Sequence, residues 1–139
     1  MYLIDTNVVS ELRKKSKANS GVIAFFKAAT DDGHRLYLST ISVGELRRGV
    51  ELIRHRGDRV QAQLLETWLL MMLQKFQGDI LPFDEVAAQV WGRLRVPNPA
   101  HSLDKQIAAI ALVNGLAVVT RNTVDFYGTG VKLVNPFTP

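Results

Sequence analysis

Four acidic residues stand where a chain of alternating strands and helices could gather them: Asp5, Glu45, Asp104 and Asp125. Asp5 directly follows the apolar triplet Tyr2-Leu3-Ile4 and precedes Thr6-Asn7, whose side chains suit a helix start. A short, uninterrupted apolar run fits a central strand of a parallel sheet, buried on both faces, with Asp5 at its carboxyl end. In open α/β sheets, ligands bind at that edge. Glu45 falls in the first turn or two of a helix that follows the strand at residues 36–39. Asp104 falls in the first turn of a helix after a proline-containing loop, and Asp125 in the loop after the strand at residues 116–120. Carboxylates gathered at one edge repel and raise one another's pKa unless something neutralises them. A divalent cation does so, and oxygen ligands with water suit Mg²⁺ or Mn²⁺. Such a site polarises a phosphoryl oxygen and acidifies a bound water, which is the chemistry of phosphodiester hydrolysis.

Each acid also has a plainer local use. Asp5 and Asp104 complement the dipole at the start of a helix. Ser42-Val43-Gly44-Glu45 has the form of a capping box, in which the glutamate reaches back to a free backbone N–H. Only tertiary proximity separates these uses from a common site.

The rest of the composition narrows the chemistry. The chain has no cysteine, so thiolate metal sites, disulfides and cysteine nucleophiles are excluded. Its three histidines, His34, His55 and His101, are far apart and lack HExxH-like spacing, so any metal is expected to be held mainly by oxygen. With 139 residues, 47% of them hydrophobic, the chain fits one domain spanning residues 1–139. No charge-free apolar stretch is long enough to cross a membrane, and the N-terminus lacks the order of a signal peptide. A soluble, cytoplasmic protein is expected. The net charge is +4 and the pI about 9.6. Basic residues cluster at Arg13, Lys14, Lys15 and Lys17, and again at Arg47, Arg48, Arg54, Arg56 and Arg59. They suit either solvated helix faces or a phosphate-bearing partner, which guanidinium can grip with two hydrogen bonds.

The elements that must position the acids follow in order. Helices are expected at residues 7–13 and 21–29, joined by a basic, polar link over residues 14–20. The strand at 36–39 leads into a helix carrying Leu46, Val50 and Ile53. After Gly57-Asp58, the residues Val60, Leu64, Trp68, Met72 and Phe76 recur at every fourth position, flanked by Leu65, Leu69 and Leu73. That wide face serves a core, and it also suits a homodimer or a partner helix. A short strand at 80–81 is followed by a helix capped by Asp84. Pro97 and Pro99 stop that helix and stiffen the way to the next, for which Ser102 is the expected N-cap and Leu103, Ile107, Ile110 and Ala111 the apolar face. A last strand is expected at 131–134. Strands alternating with helices argue a parallel sheet in one layer between helices, a three-layer α/β/α sandwich.

These stretches carry a family resemblance. YLIDTNVVSEL, STISVGELRRGV, SLDKQIAAIAL and VVTRNTVDFYGTGVKLVNP, spread from residue 2 to 136, resemble the motifs of PIN-domain ribonuclease toxins of the VapC and FitB type, the toxin halves of type II toxin–antitoxin pairs. The resemblance implies the α/β/α fold, an endoribonuclease dependent on Mg²⁺ or Mn²⁺, a homodimer, and inhibition by a cognate antitoxin of the VapB or FitA type. It implies that Asp5 and Asp104 are the firmest metal ligands, with Glu45 and Asp125 binding directly or through water. Thr6 and Asn122 match the supporting polar residues, and Ser39 and Thr120 are further candidates to fix the carboxylates. Arg47, Arg48, Lys105 and Arg121 are candidates for RNA contact. Lys105 stands where the family commonly has a small or apolar residue, so an ion pair, a phosphate contact and plain exposure are all open to it. The antitoxin usually carries the DNA-binding segment, so no direct DNA binding by this chain alone is expected, and no membrane association.

Other classes fit less well. Phosphatases of the haloacid-dehalogenase type need a second aspartate where Asn7 stands, and the GxSxG, GxxxxGK[ST] and GxGxxG patterns are absent. Two alternatives within the resemblance are a catalytically idle interaction module acting through its antitoxin complex and a structure-specific DNA nuclease. Neither the RNA target nor the number of metal ions follows from the residues.

Overall fold

The computed structural model describes residues 1–139. Five short strands, β1 (Tyr2–Ile4), β2 (Leu36–Ser39), β3 (Ile80–Leu81), β4 (Ala117–Val119) and β5 (Leu133–Val134), form one sheet in the order β3-β2-β1-β4-β5. All neighbouring pairs are parallel. Six α-helices connect and cover them: α1 (Thr6–Glu11), α2 (Ser20–Asp31), α3 (Thr40–His55), α4 (Arg59–Lys75), α5 (Glu85–Leu94) and α6 (Ser102–Asn114).

The pleat explains the three layers. Leu3 and Val118 point to one face, into a core completed by Ala87 of α5, by Ile107, Ala108, Ile110 and Ala111 of α6, and by Phe126. Ile4 and Val119, one residue on, point to the other face, where Val8, Val22, Val50, Leu69, Met72 and Phe76 from α1 to α4 enclose them. Each residue step flips the side chain across the sheet, so a strand covered on both faces reads as an unbroken apolar run.

Several boundaries differ from the sequence reading. The expected link over residues 14–20 is largely a 3₁₀ segment, Leu12–Lys17, broken at Lys15, whose φ is 54°. The apolar face of α4 does not follow the four-residue spacing. Val60 and Leu64 are exposed, whereas Ala62, Leu69, Met72 and Phe76 are buried. A strict four-residue step drifts about 40° around a helix each time, so its two ends lie nearly opposite one another. The apolar side of α6 is also wider than a stripe. Residues 107–111 are all buried while Leu103 is half-exposed, because α6 is covered by the sheet, by α5 and by the turn carrying Phe126. His101 takes the N-cap position of α6 and Ser102 is its first helical residue, correcting the expected cap.

Gly115 ends α6 at φ 67°, a left-handed conformation that glycine adopts without strain. The C-terminal tail crosses the start of α2. Asn19 Oδ1 caps that helix, accepting from the backbone N–H of Gly21 (3.0 Å), and also accepts from Thr138 N (3.0 Å). A Cβ at Gly21 would lie 2.2 Å from the Pro136 carbonyl oxygen, so this crossing requires glycine.

Candidate active site

The four acids converge because parallel strands end together. Ile4 and Val119 are paired in register, so Asp5 and Thr120 leave adjacent strands side by side. Asp5 is 3% exposed, and every oxygen is engaged. Oδ1 accepts from Thr6 N at 2.8 Å, capping α1, while Oδ2 accepts from the Thr120 hydroxyl at 2.8 Å and from Asn7 Nδ2 at 3.1 Å. Thr120 itself is fully buried, and its oxygen accepts from Asn122 N at 3.0 Å. Capping and site geometry are thus the same set of bonds. Burial nevertheless raises the Asp5 pKa, because the three donors offset desolvation only partly and the charge of Asp125 adds to it.

Glu45 arrives from the second turn of α3. Ser39, the last residue of β2, is the N-cap of that helix, its Oγ accepting from Ser42 N at 3.1 Å. The expected capping box between Ser42 and Glu45 does not form. The Glu45 side chain turns across to α1, where the Thr6 hydroxyl donates to Oε1 at 2.8 Å, and the same hydroxyl lies 2.8 Å from Ser42 Oγ. Burial, followed by the nearby Asp5 charge, raises Glu45 against the lowering effect of that hydrogen bond.

Asp104, in the first turn of α6, is pushed up to about 6. Burial contributes most, then the charges of Asp5, Asp125 and Glu45 in that order, while His101 opposes them. One carboxylate therefore responds to the other three. Asp125 comes from the 3₁₀ turn Thr123–Phe126, whose first bond runs from Asp125 N to Asn122 O at 3.1 Å. At the rim stands His101, its Nδ1 3.9 Å from Asp104 Oδ2 and 3.8 Å from Asp125 Oδ1.

No lysine or arginine forms an ion pair with any of the four acids. Lys105, the closest in sequence, is buried and donates from Nζ to the Asn98 carbonyl oxygen. That removes it from RNA contact and resolves its three options in favour of a fourth, pinning the loop before α6. Arg47 is also committed, pairing with Glu66 and Glu51. Arg48, one turn beyond Glu45, and Arg121 are exposed, and the Arg121 guanidinium stacks 4.8 Å from the centre of the Phe137 ring. Hard oxygen donors carrying uncompensated charge fit a divalent cation. Concavities of about 350 Å³ beside Phe26, His34 and Lys75, and of about 410 Å³ between Arg13 and Trp68, lie away from the four acids.

The sequence model described as PIN domain matches residues 2–131. The chain belongs to the PIN domain family. Among curated relatives of this PIN domain, plasmid stability protein StbB of Pseudomonas syringae pv. tomato is 38% identical over 144 residues, spanning 99% of each chain. Toxin FitB of Neisseria gonorrhoeae is 36% identical over 143 residues, again covering 99% of each. The crystal structure of FitAcB from that organism superposes with a TM-score of 0.82 over 98% of each chain at 35% identity. VapC ribonuclease Y4jK of Sinorhizobium fredii is 34% identical over 145 residues, covering 100% of this chain and 99% of its own.

Within this PIN domain, three residues at the site were not singled out by sequence. Asn7 donates to Asp5 and accepts from Arg121 N at 3.1 Å, joining the β1 and β4 loops. Its place in IDTN, two residues after the acid, was the available signal. Ser42 shares the Thr6 hydroxyl, and its position three residues before Glu45 puts both on one side of α3. His101 stands three residues before Asp104, which was its local signal, whereas its proximity to Asp125 arises only in three dimensions. Asn122 contributes through its backbone, and its side chain forms no hydrogen bond.

Proposed function

We propose that this chain is a divalent-metal-dependent endoribonuclease, the toxin of a type II toxin–antitoxin pair, folded as a single nuclease domain. The observation that carries the reading is four converging carboxylates that no lysine or arginine pairs with. Asp5, Glu45, Asp104 and Asp125 would hold Mg²⁺ or Mn²⁺, which supplies charge neutralisation and an acidified water for phosphodiester hydrolysis.

The protein's own contribution is preorganisation. Asp5 is locked by Thr6 N, Asn7 and Thr120, and Glu45 by the Thr6 hydroxyl, so neither needs to reorganise when an anionic substrate arrives. Ser39 fixes α3 and through it the approach of Glu45. Asp104 and Asp125 are less buried than Asp5 and would complete the oxygen set that holds the ion. Arg48 and Arg121 are free to bind flanking phosphates. Acids partly exposed at a sheet edge suit a polymer better than an enclosed small molecule.

The named complexes FitAcB and FitAB of a relative at 33–35% identity support an antitoxin partner for this chain. FitAB is described bound to a DNA fragment, and we assign DNA binding in such a pair to the antitoxin. A homodimer acting in the cytoplasm completes the reading; no helix is long and apolar enough to cross a membrane.

The test is cleavage of total bacterial RNA by antitoxin-free protein in Mg²⁺, in Mn²⁺ and in EDTA, with Asp5→Asn alongside. Asparagine can still cap α1, so that variant keeps its helix start while losing the charge. Discrete fragments that vanish in EDTA and in Asp5→Asn are expected. Folded, Mn²⁺-binding protein that leaves every RNA intact would overturn the nuclease reading.

A further inference from the structure

We propose that His101 is a ligand of the metal centre and shifts its preference from Mg²⁺ toward divalent transition ions. This rests on the metal-dependent reading above and adds a nitrogen donor to a site otherwise made of oxygen. Three observations carry it. His101 Nδ1, Asp104 Oδ2 and Asp125 Oδ1 come from two separate segments, and the imidazole nitrogen lies 3.9 and 3.8 Å from the two carboxylate oxygens. Donors held about 2.0–2.2 Å from one ion stand at most about 4.4 Å apart, so both spacings fall within the reach of a single cation. The His101 side chain forms no helix-capping hydrogen bond despite its N-cap position, so its donor is not spent on α6.

The third observation is how the loop is held. Lys105 Nζ grips the Asn98 carbonyl, Asn98 Oδ1 accepts from Ala100 N at 2.9 Å, and Trp91 Nε1 donates to the Ser102 carbonyl at 3.1 Å. These bonds anchor the chain on both sides of His101, which adopts the left-handed region with φ 57°. Lys105 is thereby a positioning residue: from the core it fixes the segment that presents the imidazole.

The chemical consequence follows from donor preference. Mg²⁺ favours an all-oxygen shell, whereas a transition ion accepts imidazole more readily, weakly at Mn²⁺ and increasingly toward Ni²⁺ and Cu²⁺. Loss of His101 therefore weakens Mn²⁺ more than Mg²⁺.

The experiment uses the full-length protein, free of antitoxin and metal, with Mn²⁺ as probe. Pulsed EPR of one equivalent of bound Mn²⁺ reads ¹⁴N coupling directly, and calorimetry gives the Mn²⁺ and Mg²⁺ affinities, both without substrate. Wild type is expected to show ¹⁴N modulation that disappears in His101→Ala. Mn²⁺ affinity is expected to fall by a larger factor than Mg²⁺ affinity. His101→Gly, which tolerates the left-handed backbone, repeats the test should the alanine variant misfold. Mn²⁺ bound in an all-oxygen shell in wild type would overturn the role of His101 and leave the nuclease reading standing. Failure of wild type to bind Mn²⁺ at all would overturn both.

Discussion

Asp104 stands at about 6 because its carboxylate is partly buried beside three others, and that fact sets opposing demands on stability and function. A folded-state value raised above the ordinary 3.8 favours the protonated acid in the folded chain. The associated stability is complete below pH 3.8 and is lost as pH rises through about 6. Metal-free protein is therefore expected to melt at progressively lower temperature between pH 4 and 7, and Mn²⁺ to reverse the loss at the upper end. Thermal melts across that range in EDTA and in Mn²⁺ check the sign; a rising melting temperature in EDTA would contradict it. Because metal competes with protons for these oxygens, Mn²⁺ binding should also weaken below about pH 6. Asp104→Asn removes the charge at nearly constant shape. It is expected to abolish cleavage while stabilising the metal-free fold at pH 7 by on the order of 2 kcal/mol, measured by urea unfolding beside an RNA-cleavage assay. Wild-type cleavage at saturating Mn²⁺ would remove Asp104 from the site.

At the scale of elements, the site depends on how strand ends are tied to helix starts. Ser39 caps α3, Asp5 caps α1, and Thr120 bonds Asp5 from the next strand. The start of α6 has no side-chain cap and relies on its loop instead. Lys105→Met keeps most of the aliphatic stem in the core but leaves the Asn98 carbonyl without its donor. A loss of about 1.5–3 kcal/mol is expected from that charge-assisted hydrogen bond, together with a drop in metal affinity, since the loop carries His101 and leads into Asp104. Urea unfolding and Mn²⁺ calorimetry on one variant check both halves. Unchanged metal affinity at reduced stability would confine Lys105 to packing. The pairs Arg47–Glu66 and Arg54–Glu66 tie α3 to α4, while Arg54–Glu51 lies within α3. They commit Arg47 and Arg54 without invoking a polyanion, and of the candidates named for RNA contact they leave Arg48 and Arg121 outside any ion pair.

For the whole molecule, α4 carries more exposed large apolar residues than any other helix. Val60, Leu64, Leu70 and Met71 all face solvent, and Leu64, Trp68 and Met71 line a groove whose opposite wall is Arg13 and Lys15. An apolar floor with basic walls suits an amphipathic acidic segment, and the proposed antitoxin is its expected occupant. Leu64→Glu combined with Met71→Glu should weaken antitoxin binding at least about tenfold with no change in melting temperature, because both side chains are already exposed. Calorimetry against the cognate antitoxin checks it. Full affinity in the double variant would move the interface elsewhere.

What the sequence determined by itself was whatever local periodicity and chain order encode. Unbroken apolar runs at β1 and β4, alternation of strands with helices, and acids just past strand ends gave the parallel sandwich and all four carboxylates, because strand direction fixes which edge each acid reaches. The tertiary structure decided what depends on contacts between distant segments. It turned Glu45 toward Thr6 rather than its own helix start, since a buried carboxylate takes the donor that its neighbours provide. It sent Lys105 to a backbone carbonyl and brought His101 to Asp125, 24 positions away in sequence. It also chose which side of α4 is buried, because helix rotation is set by the surface it packs on rather than by the spacing of its apolar residues.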